Sequence, residues 1–400
     1  MGILRLYLAL CVLVTHAPPR LPLGPHRGHE AVQIFFIISG FYMAMIYDKY
    51  ASNLEFYCSR FIRIFVPYWT ICIGIIVTCF VLGNVYGVWG SLEPYMDYNR
   101  LNGIAGVIVV TIANILIFGQ DVVMFLAHDF GESLAFTTDF SVSKNPLWEY
   151  LFVPQAWSVS LELMFYLLVP FLLRFRTRYL VGLFTLSLLL RFSVYELYGL
   201  YGDPWRFRVF PFELALFLLG IFSFRISDRY KSFFATFAGR NTPKTTLGHV
   251  LFGGMLLYLF WVGAWVTKVG GVYVPLHYLE IVSYAGWAAA IPFLFCLSRK
   301  NRVDRFIGEL SYPVYLIHLF VISACVVIVP YLGRLKDFEM SLIVLPAIVS
   351  ILLSICLVLV VIYPLDGIRY KLAKRFAERA LVSPGFPADG EIAEEKSRPH

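Results

Sequence analysis

The sequence predicts an all-α fold, a polytopic bundle of transmembrane helices, and three observations support this prediction. Hydrophobic residues make up 59% of the 400-residue chain and charged residues only 15%, whereas an ordinary soluble domain carries roughly 25% charged residues. Apolar stretches of membrane-spanning length recur along the whole chain. Aromatic residues account for 17% of the sequence, as expected for rings at both membrane interfaces. This composition excludes a soluble enzyme, a disordered chain and a nucleic-acid-binding domain.

About ten of these stretches have the length of roughly 17–25 residues that a spanning helix needs. The first stretch also has features of a secretory signal peptide, because Arg5 precedes an apolar run. However, no small-residue cleavage site follows before Pro18, so a retained helix is preferred. The spans are predicted at 3–17, 31–47, 64–83, 147–173, 179–197, 208–224, 248–266, 278–297, 307–330 and 340–363.

Basic loops indicate which helix ends face the cytoplasm, since Lys and Arg accumulate on that side. Arg60 and Arg63 precede the third span, and other basic loops lie at 174–178, 225–247 and 299–305. Placing these loops inside the cell puts both termini in the cytoplasm. The formal net charge of +7 is explained by this asymmetry, without an acidic partner such as nucleic acid.

The shorter apolar run at 103–118 cannot be a simple span in this arrangement, because both of its flanks lie outside. The stretch that follows, 119–146, is acidic, which fits an outer segment. We therefore predict a re-entrant or interfacial helix, which is tolerated where it is buried against protein or lines a cavity. An eleventh span is the alternative.

One membrane domain is expected over residues 1–366, followed by a basic and then disordered cytoplasmic tail over residues 367–400. The seven cysteines lie mostly within apolar runs and lack the spacing of a disulfide framework or a zinc site. A metal site is therefore not expected, and no resident cofactor is predicted.

Arg5 and His16 are the first ionisable pair in an apolar span, and such residues are costly in a membrane and point to function. They are eleven residues apart, which is about three helical turns, so they share a face and lie roughly 16 Å apart along the axis. Arg5 could hold an anion near the cytoplasm, and His16 could transfer a proton near the outer surface. An interfacial arginine anchor and a helix-capping histidine are the structural alternative.

A second polar set lies in the 147–173 span. Ser158 and Glu162 are four residues apart and share a helix face, directly after Trp157. Glu162 is predicted at a depth comparable with that of His16, where its carboxylate would fix the imidazole tautomer of an acid–base site. A structural contact between helices is the alternative.

Small and basic residues mark the second and third spans. Ser39 and Gly40 form a step that permits another helix or a ligand to approach the backbone closely. Arg60 and Arg63 project together at positions i and i+3, a shape that suits phosphate groups. Membrane anchoring explains the two arginines nearly as well.

Later spans carry further polar residues. Ser311, Tyr315 and His318 share one helix face, where they either line a donor channel or bond to neighbouring helices. Other buried charges, expected to pair with one another, are Arg191, Arg208 and Glu213.

The order of these motifs resembles that of the acyltransferase-3 family, integral membrane O-acyltransferases of polysaccharides, lipopolysaccharide and related glycans. The resemblance extends from Arg5 to about Pro364. The chain departs from the family pattern at Gln33 and Leu163, where acidic residues are usual, and its closing signature is shortened. The matching motifs are Arg5-x10-His16, Phe35-Phe36-x2-Ser39-Gly40-Phe41, Arg60-x2-Arg63-Ile64-x2-Pro67, Trp157-Ser158-x3-Glu162-x2-Phe165-Tyr166 and Ser311-Tyr312-x2-Tyr315-Leu316-x-His318.

The resemblance implies transfer of an acyl group, usually acetyl, from cytoplasmic acyl-CoA to a hydroxyl of a surface or exported glycan or glycolipid. It implies His16 as general base or acyl carrier and Glu162 as its orienting group, and an activated thioester donor requires no metal. The implied location is a bacterial inner membrane, and a transporter or glycan exporter is the competing interpretation. Donor-binding residues implied in this way are Arg5, Ser39, Gly40, Arg60 and Arg63, and further site-lining residues are Trp157, Ser158, Tyr315 and His318.

Overall fold

The computed structural model describes residues 1–18, 27–96, 104–128, 134–237, 253–254, 256–257, 276–329 and 341–369. Within these residues, eight helices are long and apolar enough to cross a membrane, and each strand has only two residues. The predicted all-α transmembrane bundle is therefore confirmed. Most of the predicted span at 248–266 and nearly all of the predicted tail lie outside the described residues.

Ten principal helices form the described part of the bundle, and the first and fourth are shorter than the others. They are α1 (Gly2–His16), α2 (Gly28–Ile46), α3 (Asn53–Tyr86), α4 (Ile104–Leu116), α5 (Trp157–Leu172), α6 (Thr177–Tyr198), α7 (Phe210–Arg229), α8 (Leu276–Ser298), α9 (Arg302–Ile328) and α10 (Ser341–Leu357), the last continued by a π-helical turn at Val358–Ile362. Short helical segments lie at Tyr47–Lys49, Gly90–Leu92, Glu93–Met96, Gln120–Val123, Leu147–Tyr150, Pro154–Ala156 and Lys231–Phe237, and β1 (Leu126–Ala127) pairs antiparallel with β2 (Ala135–Phe136).

Two helices begin at positions that the apolar runs did not predict. α3 begins at Asn53 and not near residue 64, because Ser52 caps it by accepting the backbone N–H of Glu55 at 3.1 Å. α5 begins at Trp157 and not at residue 147, because the preceding residues form two separate 3₁₀ turns. Hydropathy locates apolar segments, but local capping and turns set where a helix begins.

α1 packs lengthwise against α9, and the two helices run in parallel. At their starts, the Asp304 carboxylate accepts hydrogen bonds from the backbone N–H groups of Gly2 (2.7 Å) and Ile3 (3.0 Å). Further along, the rings of His16 and His318 lie side by side, with 5.3 Å between their centroids. These contacts define two ends of the bundle, which we call the Arg5 end and the His16 end.

α2 crosses α7 at a pair of glycines. A Cβ atom on Gly40 would collide with the backbone carbonyl of Phe217, and a Cβ atom on Gly220 would collide with that of Ile37. Helices in lipid associate through such small residues, because lipid provides little hydrophobic drive for their contact. Gly40 therefore serves close helix packing, one of the two roles that the sequence predicted for it.

α4 belongs to a segment that enters the bundle and returns. After α4 the chain reverses through Ile117 (φ 64°) and Gly119 (φ 84°), and the Gly119 N–H donates to Ser160 Oγ on α5 at 3.0 Å. The returning chain then brings His128 against Gly106, near the start of α4. The chain after α4 therefore returns toward the start of α4 and packs partly against α5, and the re-entrant helix stays a prediction.

Candidate active site

A cavity of about 830 Å³ extends from the Arg5 end to the middle of the bundle, within the range of about 300–1,000 Å³ that is usual for small-molecule sites. Ser158 and Tyr315 lie at its inner end, and Tyr315 is halfway along α9. Among the described lining residues, seven are basic and three are acidic, so the cavity favours an anionic ligand. The basic residues are Arg5, Lys49, Arg60, Arg63, Arg299, Lys300 and Arg305, and the acidic residues are Glu162, Asp304 and Glu309.

The three predicted donor-binding arginines differ in how they are paired. Arg5 is half-buried, and its side chain makes no hydrogen bond or ion pair with the described residues. Arg63 donates to both carboxylate oxygens of Glu309, at 2.9 and 3.0 Å. Arg60 donates to Tyr50 Oη at 2.8 Å. Arg5 is therefore the guanidinium of the three that has every N–H group free of the described residues and available to an anion.

Tyr50, in the turn between α2 and α3, reports the positive potential at this end of the cavity. Burial alone would raise the pKa of the Tyr50 phenol, but the neighbouring Arg60 guanidinium brings that pKa below its ordinary value. A positive charge that stabilises a phenolate would stabilise a phosphate in the same way.

The Glu162 carboxylate holds two hydroxyl groups in the cavity wall. Ser39 Oγ donates to Glu162 Oε1 at 2.7 Å, and Tyr166 Oη donates to the same oxygen. The Ser39 and Tyr166 hydroxyl oxygens are themselves 3.2 Å apart. Hydrogen bonds to an ionised acceptor are the strong kind, so this group fixes the side chains of α2 and α5 relative to each other.

At the inner end of the cavity, two hydroxyls meet beside a buried histidine. Tyr315 Oη donates to the backbone carbonyl of Gln155 at 2.7 Å. Since a phenol has one proton, Tyr315 must accept at its 2.6 Å contact with Ser158 Oγ. The Tyr315 ring lies 5.8 Å from the ring of His318. The cavity thus ends one aromatic ring away from His318.

His318 and His16 form a ring pair beyond the cavity. His16 Nδ1 lies 2.8 Å from the carbonyl oxygen of Val12, and His318 Nδ1 lies 2.6 Å from that of Tyr315. A carbonyl can only accept, so each Nδ1 carries the proton and each neutral ring has its lone pair on Nε2. His318 is fully buried and its Nε2 has no partner among the described residues, whereas His16 is exposed. The pair thus brings two imidazole rings together at the His16 end.

The expected contact between Glu162 and His16 is not formed. Ser158 lies level with Tyr315, which is three residues before His318 on α9. Glu162 lies a further helical turn from Ser158, toward the Arg5 end. Glu162 and the histidine pair are therefore separated by about 10 Å along the helix axes. The prediction of equal depth was wrong because α5 begins inside the bundle, beneath the buried turns at 147–156, and His318 takes the position beside His16.

The remaining predicted residues fall into two groups. Trp157 and Gly40 lie outside the cavity wall: the Arg208 guanidinium stacks 4.4 Å from the Trp157 ring, and Gly40 contacts α7. The predicted residues that the structure brings together in the cavity wall are Arg5, Ser39, Arg60, Arg63, Ser158, Glu162, Ser311 and Tyr315.

The expected pairing of the buried charges is confirmed in part. Arg191 and Glu213 form an ion pair at 2.5 Å, whereas Arg208 pairs with Asp203 and not with either of them. Tyr166 carries no predicted role, although its position one turn after Glu162 in the same motif is a signal that the two side chains meet.

Comparison with known proteins identifies the family of the chain. A protein-family model described as an acyltransferase domain matches residues 1–366. The chain therefore belongs to this family, and it is an integral membrane acyltransferase. The comparison with curated proteins gave no match, and the comparison with solved structures gave none.

Proposed function

We propose that the protein transfers an acyl group, most simply acetyl, from acyl-CoA to a hydroxyl of a surface or exported glycan or glycolipid. The observation that carries this proposal is the position of the basic cavity, whose inner end lies one aromatic ring from the histidine pair. The location that fits this activity is a bacterial inner membrane with both termini in the cytoplasm, which places the Arg5 end inside.

The donor would enter from the Arg5 end. CoA carries several phosphates, and Arg5, which has no partner among the described residues, is the guanidinium best placed to bind one of them. Arg60 and the lysines and arginines at the cavity mouth add to the attraction. The long pantetheine arm would then lie along the cavity past Ser158 and Tyr315, with its thioester directed toward the histidine pair.

The acceptor hydroxyl would approach from the His16 end. His16 Nε2 takes the hydroxyl proton while the hydroxyl oxygen attacks the thioester carbonyl carbon. The ester C–O bond forms, the C–S bond breaks, and the CoA thiolate leaves and takes up a proton. His318 packs against the imidazole and helps to position it. Alternatively, His16 receives the acyl group first and passes it to the acceptor hydroxyl.

The test is acyl transfer by the purified full-length protein in detergent, with radiolabelled acetyl-CoA and a cell-envelope glycan fraction. His16→Ala should lower transfer by about 10²–10⁴-fold, the usual contribution of a general base, while the variant inserts and elutes like the wild type. His128→Ala is the matched control, because His128 is a buried histidine away from the cavity with both ring nitrogens unpaired among the described residues.

Unchanged transfer by correctly inserted His16→Ala would remove His16 from the mechanism. Absence of any transfer by the wild type, together with glycan movement across vesicles, would favour the exporter interpretation instead.

A further inference from the structure

A cluster of ligand-type side chains lies where α2 and α8 begin, and the proposed acyl transfer does not use it. His29 and Glu30 come from the first turn of α2, and Glu280 comes from the first turns of α8. One ligand atom from each, a ring nitrogen or a carboxylate oxygen, lies within 4.8 Å of the other two. Both carboxylates are at least 95% buried.

Glu30 is the member of the cluster whose charge is not compensated. Its Oε2 accepts the backbone N–H of Arg27 at 3.3 Å, but its Oε1 is buried without a partner among the described residues. Glu280, by contrast, accepts a hydrogen bond from the Arg206 guanidinium. Burying an unpaired carboxylate beside a second carboxylate is costly. A cation or a proton must therefore be supplied to Glu30.

The spacing of the cluster suits a metal cation. Tetrahedral bonds of about 2.0–2.1 Å to zinc place neighbouring ligand atoms about 3.3 Å apart, and His29 Nε2 lies 3.4 Å from Glu280 Oε1. The hydrogen bond from Arg206 to Glu280 is the kind of contact that orients a carboxylate ligand from outside the metal shell. One imidazole and two carboxylates are ligands of a first-row divalent metal ion.

We propose that His29, Glu30 and Glu280 bind one divalent first-row transition-metal cation, for which Zn²⁺ is the probe. This departs from the expectation, drawn from cysteine spacing, that the chain holds no metal. The bound ion ties the start of α2 to the start of α8. It also lies near the outer end of α1, because Gly28 packs against the side chain of Thr15, the residue before His16.

The experiment uses full-length protein purified in detergent, stripped with EDTA, desalted and titrated with ZnCl₂. Zinc per polypeptide is measured by mass spectrometry after gel filtration, and thermal unfolding is followed with and without zinc. We expect one retained equivalent and a rise of a few degrees in Tm that saturates at one equivalent. His29→Ala and Glu30→Gln should each abolish both effects, whereas Glu93→Gln, at an exposed carboxylate of similar type, should abolish neither.

The wild-type titration alone can overturn the proposal, whatever the fate of the variants. No retained zinc and no change in Tm would mean that a proton neutralises Glu30. Equal zinc retention by the wild type, His29→Ala and Glu30→Gln would place the ion at other residues. Either result would leave the proposed acyl transfer intact, since that reaction is measured in a separate assay.

Discussion

Two side chains of α2, Gln33 and Ser39, each contact a carboxylate of another helix, and the two carboxylates differ in their surroundings. Gln33, Glu213 and Arg191 form what we call the sealed network: both oxygens of Glu213 accept from Gln33 at 3.1 Å, and Oε1 also accepts from Arg191. Ser39, Glu162 and Tyr166 form the cavity network. There both hydroxyls donate to Glu162 Oε1, and Oε2 makes no hydrogen bond with the described residues.

The difference teaches how to interpret a charge buried in a membrane protein. A charge inside a membrane is a candidate for function, yet Glu213 is completely buried and fully paired, so it is available to no ligand. Glu162 is less buried and faces the cavity. A buried charge is therefore a candidate site residue when it faces a cavity and has an atom free to form a further hydrogen bond. Burial alone does not distinguish it from a structural charge.

Glu213→Ala should give the largest effect on folding. It leaves Arg191 and Gln33 buried without their acceptor, and breaking a buried ion pair costs about 3–5 kcal/mol. Thermal unfolding of the purified protein should show a strongly lowered midpoint or aggregation, whereas Glu93→Ala, at an exposed carboxylate, should change stability by less than about 0.5 kcal/mol. A stable but inactive Glu213→Ala protein would contradict the separation of the two networks.

Glu162→Gln should show the opposite pattern. The amide still accepts from Ser39 or Tyr166, so the folded protein should unfold at nearly the wild-type temperature. Transfer of labelled acetyl groups should nevertheless fall by about 10–100-fold, because the variant has no ionised oxygen facing the cavity, and a hydrogen bond to a charged group is worth about 1.5–3 kcal/mol. Equal activity of the wild type and Glu162→Gln would mean that the cavity network is only a structural contact between helices, which is the alternative given for Glu162 in the sequence analysis.

The class of fold followed from the sequence because a membrane leaves few choices. Long apolar runs must become helices, and the short run at 103–118 could be recognised as different from the sidedness of its neighbours. The start of α3 could not be placed by hydropathy, because Ser52 and Glu55 determine it through capping. Nor could the pairing of α1 with α9, which depends on contacts between residues some 300 positions apart, such as Gly2 and Asp304.

The sequence predicts which residues line the cavity better than it predicts which of them contact one another. Arg191 and Glu213 could be paired from the sequence, because few charges lie in the spans and an unpaired one is costly. Glu162 was placed beside His16 from helix direction alone. That argument assumes that each helix begins at the membrane surface, whereas α5 begins deeper in the bundle. Glu162 therefore contacts Ser39, and the His16 ring packs against that of His318.

Arg5 and Arg63 repeat the comparison of the two networks at the cavity mouth, with smaller expected effects. Arg5→Gln removes a guanidinium that forms no ion pair with a described carboxylate, so the KM for acetyl-CoA should rise about tenfold, the loss of about 1.4 kcal/mol. Arg5→Lys should restore part of the lost affinity for acetyl-CoA.

The double variant Arg63→Gln with Glu309→Gln removes a pair whose charges cancel, so the KM for acetyl-CoA should change by less than about threefold. If the double variant instead raised the KM as much as Arg5→Gln, Arg63 would exchange its ion pair with Glu309 for a contact with the donor. Ion pairing in the free protein would then not separate structural residues from binding residues.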